Sequence, residues 1–164
     1  MARDTRPRHR PQIPPFQNHE GPPKEKRMNS SNNIISLSGR ILLSVIFILS
    51  GVNKLFAFKM YTGSAAGAGL PVPPVAIAIA ATIEILGGLA ILAGFQTSIA
   101  AWIVFLYLIP TTFLFHHFWA MDGMNRIDNQ VHFLKNVAMM GGLLILAANG
   151  PGGASVDAAR ARKA

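Results

Sequence analysis

Cysteine is absent from this chain of 164 residues, so neither a disulfide framework nor a Cys-x-x-Cys redox pair contributes to its fold or chemistry. Charge is scarce as well, at 13% of residues against 51% hydrophobic, which excludes an ordinary soluble domain and puts a membrane class first. Acids are the scarcest of all: seven Asp and Glu stand against fifteen Lys and Arg, for a formal net charge of +8. An excess of that size can signal nucleic acid, but seven of the fifteen basic residues precede Asn33 and three more follow Asp157. Basic tails beside apolar runs act on topology and on anionic lipid, so no nucleic-acid partner is expected.

Six of the eleven prolines precede Asn33, where Pro7, Pro11, Pro14, Pro15, Pro22 and Pro23 stand among Arg, Lys, Asn and Ser. Such a segment has little apolar surface to offset the entropy of ordering, so residues 1–33 are expected to form a disordered basic tail. From Ile34 the composition inverts. Four apolar runs have about the length of a bilayer-crossing helix: Ser36 to Phe58, Pro74 to Phe95, Thr97 to Phe115 and Val131 to Ala148. A helix satisfies its own amides in hydrocarbon, whereas an open strand edge cannot. The expected fold is an all-α membrane protein, an antiparallel four-transmembrane-helix bundle over residues 34–150, followed by a short tail at 151–164. Tyr61 to Pro74, rich in Gly, Ala and Pro, reads as a connection.

The N-terminal tail, Arg40, Arg160, Arg162 and Lys163 fall on one side of these spans, and Lys59 and Arg126 on the other. The positive-inside bias then places both termini in the cytoplasm, as in a multi-pass inner-membrane protein. A signal peptide cleaved near Ser64-Ala65-Ala66 is the rival reading, but its positive region would be unusually long.

Within the spans, Glu84 stands out, because an ionised carboxylate in hydrocarbon costs a few kcal/mol unless it is paired or protonated. Ala76, Ala80, Glu84 and Gly88 recur every four residues, a small-residue surface that turns Glu84 into the bundle. Lys54, near the end of the first span, is the partner expected first, with Lys135 or a histidine second. His116, His117, Trp119 and His132 fall at the outer interface, and His132, Lys135 and Asn136 share or adjoin one face of the fourth helix. Lys54, Lys135, the three histidines and Asn136 are expected to converge at one depth. A buried ion pair can also serve packing alone, and the histidine spacing matches no metal signature, so no metal site is expected. Pro110 interrupts the third helix and should free a carbonyl one turn earlier, for Thr111, Thr112 or water to engage.

With these residues in order, Gly39 to Asp157 resembles the DoxX family of small four-helix membrane proteins, within the DoxD-like superfamily. Gly39-Arg40, Ser50-Gly51 with Lys54, Gly69-Leu70-Pro71, and Glu84 with Gly87-Gly88 carry the first half of the likeness. Gly94 and Thr97, Phe115-His116 with Phe118-Trp119, Phe133-Leu134-Lys135-Asn136, Gly141-Gly142, Gly150-Pro151-Gly152 and Ser155-Val156-Asp157 carry the second. Ser98 and Gly153-Ala154 depart from the pattern where the family often has a basic residue. The resemblance implies an accessory or subunit of a membrane-associated, quinone-linked redox or oxidative-stress system.

On that basis Glu84 and Lys54 are the expected catalytic proton and charge pair, with His116, His132, Lys135 and Asn136 as the substrate-binding layer. The ligand class this implies is a quinone-like or other apolar small molecule entering from the bilayer, with no cofactor specified. A non-catalytic adaptor or chaperone that binds partner transmembrane helices through its Ala/Gly surface is the alternative. Haem or metal ligation by His116 and His132 is a weaker third.

Overall fold

The computed structural model describes residues 24–163, and every regular element among them is helical. The first helix, α1, spans Lys24–Phe56. It therefore begins inside the stretch expected as a tail; residues 1–23 lie outside the described residues. Between Pro23 and Pro71 no proline interrupts the chain, and Lys, Glu, Arg and Met are good helix formers, so the helix extends back to the last proline of the tail.

One residue, Ala57, separates α1 from a second helix, α2, Phe58–Gly67. Tyr61 to Gly67, expected as a connection, is thus helical. Its Ala residues favour the helix, Ala65 is fully buried, and the Thr62 and Ser64 hydroxyls donate to the carbonyls of Phe58 and Met60 one turn back. The remaining turn contains Gly69 at φ +75°, a left-handed conformation that costs glycine little.

Helix α3, Pro73–Ala93, opens on two prolines, whose fixed φ suits a first helical turn. Gly94 ends it in the left-handed region. Helix α4, Thr97–Phe115, runs through Pro110 without a break. Thr111 and Thr112 bond the carbonyls of Tyr107 and Leu108 at 2.9 and 2.6 Å, so both hydroxyls are satisfied within the helix. A 3-10 turn at Phe118–Ala120 leads to α5, Gly123–Asn149, which starts two turns earlier than the apolar run at Val131. A short helix, α6, Val156–Ala161, follows. Among the described residues, four helices are long and apolar enough to cross a membrane: Ser31–Phe56, Pro73–Ala93, Thr97–Ala120 and Gly123–Asn149. The chain is a membrane-embedded all-α bundle.

Helix α3 is its centre, packing on α1, α2 and α4, while α5 packs on α4. Phe47, Ile91, Ala101, Val104, Leu108 and Leu143 form the core. Close approach of α1 and α3 depends on two glycines. A Cβ on Gly51 would stand 3.0 Å from the Ala81 carbonyl oxygen, and one on Gly88 would stand 2.8 Å from Ile48 Cγ1. The small-residue stripe of α3 therefore faces α1 of the same chain. Leu42, Leu49, Ile79, Leu86, Ile103 and Ile145 are exposed, as side chains facing acyl chains should be.

One end of the bundle is tied by polar groups. Arg40, 2% exposed, donates to the carbonyls of Ile91 and Leu92 at the C-terminus of α3 and to that of Ala154. A cation suits that helix end. The Asp157 carboxylate accepts from the Gln96 and Thr97 amides at 2.8 and 2.9 Å and from the Thr97 hydroxyl at 2.8 Å, capping α4 from a distant part of the chain. Burial raises the Asp157 pKa, but the hydrogens of Thr97 and Gln96 and the charge of Arg160 outweigh it, so the group titrates below the ordinary carboxylate range. Gly94 lets these parts meet, because a Cβ there would collide with Ser155 and Arg40.

Candidate functional site

Lys54 sits in the last turn of α1, one turn beyond Ser50 and on the face that Gly51 brings against α3. Its ammonium reaches Glu84 with both carboxylate oxygens in range, at 2.9 Å to Oε1 and 2.7 Å to Oε2, and donates to Ser50 Oγ at 2.9 Å. Lys54 is 9% exposed and Glu84 4%, so this is a buried pair. The Tyr107 hydroxyl, from α4, donates to Glu84 Oε1 at 2.9 Å. The Tyr61 ring of α2 lies 5.2 Å from the Lys54 nitrogen, a cation–π contact. Four helices thus contribute to one neutralised cluster in which the carboxylate accepts three hydrogen bonds and the ammonium's three hydrogens all have acceptors.

A cavity of about 540 Å³ adjoins this cluster. Lys54, Tyr61, Ala80, Tyr107, Thr111 and His116 are among the residues that line it, and most of the remaining wall is apolar. A small, largely apolar molecule entering here would meet an ammonium and a phenol that share one carboxylate. That arrangement can hold or move a proton at Tyr107 Oη or Lys54 Nζ and can stabilise negative charge on an oxygen near them.

His116 is the other sequence-derived residue on this cavity. Helix α4 ends at Phe115, which lets the two adjacent histidines diverge: His116 stacks on His132 of α5, with ring centroids 5.1 Å apart and planes 19° apart, while His117 lies against the Leu114 carbonyl and Trp119. Asn129 donates its amide to the Asn125 carbonyl, which leaves its Oδ1 to accept from His116 Nδ1 at 3.1 Å. Lys135 Nζ can only donate, so its 3.0 Å contact makes His132 Nδ1 an acceptor and assigns that ring's hydrogen to Nε2, 3.7 Å from Asp128.

The remaining two residues lie apart from the cavity. Asn136 is buried and donates to Thr112 Oγ1 at 3.1 Å, tying α5 to α4, and Lys135 borders a groove between α1 and α5. Of the residues expected to converge, Lys54 bonds Glu84, His116 stacks on His132 and Lys135 bonds His132, His117 turns to Trp119, and Asn136 bonds Thr112. Among the described residues, no three His, Asp or Glu side chains gather closely enough to hold a metal.

Tyr107 is the residue that sequence reasoning missed. A phenol buried in the middle of an apolar run needs a hydrogen-bond partner, and Glu84 is the carboxylate nearest mid-span, so the signal was present. The tie of Arg40 and Asp157 to the ends of α3 and α4 was missed too, since nothing local in either segment announces it.

A family model for DoxX matches residues 35–117 of the chain. Among curated proteins, the chain is 35% identical over 124 residues to "Inner membrane protein YphA" of Escherichia coli K12, covering 76% of this chain and 89% of that one. It is 34% identical over 133 residues to "Inner membrane protein YqjF" of the same organism, covering 79% and 95%. No solved structure matches the chain.

Proposed function

Because the chain belongs to the DoxX family of membrane proteins, we propose that it is a multi-pass inner-membrane protein serving as an accessory or subunit of a quinone-linked redox or oxidative-stress system. The inner membrane follows the names of the two relatives, and the cytoplasmic placement of both termini follows the distribution of basic residues.

The observation that carries this is the cavity wall on which Lys54 and Tyr107 are both bonded to Glu84. A quinone-like ring suits such a space: its carbon skeleton matches the apolar walls, and an oxygen gaining electron density would lie beside the Lys54 ammonium and the Tyr107 hydroxyl, either of which can turn a hydrogen to it in exchange for a bond now made to Ser50 or Glu84. Glu84 keeps the donors oriented and takes up or releases the proton that charge neutrality demands. His116 on the same cavity gives that proton a route toward His132 and the end of the bundle.

Glu84→Gln, Lys54→Met and Tyr107→Phe, each followed for quinol oxidation and peroxide sensitivity in membranes, test this. Each should lower the signal about a hundredfold or more at unchanged protein level, the lower end for removal of a positioned acid, base or donor. Wild-type behaviour from all three would remove the chemical role. The adaptor alternative finds less support, because Ala80 and Gly88, expected to meet a partner helix, are buried within the chain's own bundle.

A further inference from the structure

Helices α1 and α5 do not pack closely on each other, and between them runs a groove of about 670 Å³. Gly39, Leu43, Ile46, Met139 and Gly142 make its walls almost wholly apolar, and Lys135 stands at one end. From Lys135 to Asn149 at the other end, α5 rises about 21 Å. That is more than half of a hydrocarbon core of about 30 Å, so one extended chain can lie along the groove past the bilayer midplane. A helix about 10 Å wide would displace roughly 1,600 Å³ over the same length, more than twice the space present.

Lys135 decides the chemistry. It lies within a membrane-crossing helix, is exposed on the groove, and among the described residues has His132 Nδ1 as its hydrogen-bond partner and no carboxylate within ion-pair distance. Asp128, the acid nearest along the helix, faces the other nitrogen of His132. An ammonium in a span needs a counter-charge or a path to water, and this one heads an apolar channel. We infer that the α1/α5 groove binds a long-chain carboxylate, its hydrocarbon chain along Leu43, Ile46, Met139 and Gly142 and its carboxylate on Lys135. One cation matches one monoanionic head, and the volume matches one chain rather than the two of a phospholipid.

The test uses the full chain in nanodiscs of phosphatidylcholine, with chain-labelled stearate as an electron-spin-resonance probe and its methyl ester and a chain-labelled phosphatidylglycerol as comparisons. The motionally restricted fraction of stearate should exceed that of the ester about fivefold and fall to the ester's level in Lys135→Met, while Lys135→Arg retains it. Gly142→Leu, whose Cβ would meet only Leu43, at 3.7 Å, and whose remaining atoms would fill part of the groove that Gly142 lines, should reduce stearate and ester alike. Equal restriction of stearate and ester would overturn the inference, as would an unchanged Lys135→Met or a preference for phosphatidylglycerol. Should Lys135→Met not fold, the ester comparison and Gly142→Leu still decide it.

Discussion

Removing the Lys54 ammonium should cost far more than the pair as a whole is worth. At 2.7 Å and an effective dielectric constant of about 20, the gross attraction between Lys54 and Glu84 is about 6 kcal/mol. Desolvation of two charges, several kcal/mol for each ion, cancels most of that. Lys54→Met leaves a carboxylate 4% exposed with one neutral donor, Tyr107, and such uncompensated burial typically costs about 3–5 kcal/mol. Glu84→Leu leaves the ammonium with Ser50 and the Tyr61 ring and should cost a similar amount. The double variant, with neither charge buried, should fall within about 1 kcal/mol of wild type, giving a coupling of about 5 kcal/mol or more. Equilibrium unfolding of the four proteins in mixed micelles closes this cycle. Single variants that each lose under about 1 kcal/mol, with additive effects in the double, would show that the charges are solvated or independent and refute the reasoning.

Gly51→Val should force α1 from α3, since even its Cβ would stand 3.0 Å from the Ala81 carbonyl oxygen; a loss of about 1–3 kcal/mol is expected, with a lengthened Lys54–Glu84 distance visible as altered reactivity of Glu84 toward a carbodiimide. Asp157→Ala should cost about 1 kcal/mol by uncapping α4. Because the folded carboxyl titrates below its ordinary value of 3.8, its contribution is complete above that pH and fades only as pH falls through the lower folded value. The melting difference between wild type and Asp157→Ala should therefore hold steady from pH 7 to 5, and a decline within that window would contradict the depressed pKa.

How much of this was legible in the sequence depends on whether a residue's need is local. Apolar length announces a span, and a carboxylate within one announces a partner, so the four helices and the demand for a cation at Glu84 are readable from composition and depth. Lys54 falls one turn beyond Ser50 and beside Gly51, a local pattern that places it on the approach face. Asn136 and Lys135 are neighbours in sequence but lie about 100° apart on a helix, so a shared depth did not imply a shared site. One turned to Thr112 and the other to the α1/α5 groove. The helicity of Tyr61 to Gly67 hinged on Ala65 finding a place against the bundle, and Gly, Ala and Ser read equally well as a loop without that contact. The Asp157 cap was hidden for a different reason: it satisfies amides at the start of α4 from beyond the last span, and no periodicity encodes a contact of that kind.

The two polar clusters differ in a way that bears on function. Arg40 and Asp157 bond backbone carbonyls and amides at the ends of α3 and α4, groups that have no other role than to be satisfied. Lys54, Glu84 and Tyr107 bond one another in mid-bundle, where the backbone needs nothing from them. An apolar trio of similar volume would serve packing there as well or better, since a buried pair returns little net stability. A neutral substitute, however, could neither hold a proton beside the cavity nor meet a charge arriving in it. The double variant described above separates the two possibilities: near-native stability with lost activity assigns the cluster to chemistry, and near-native stability with full activity assigns it to registry between α1 and α3.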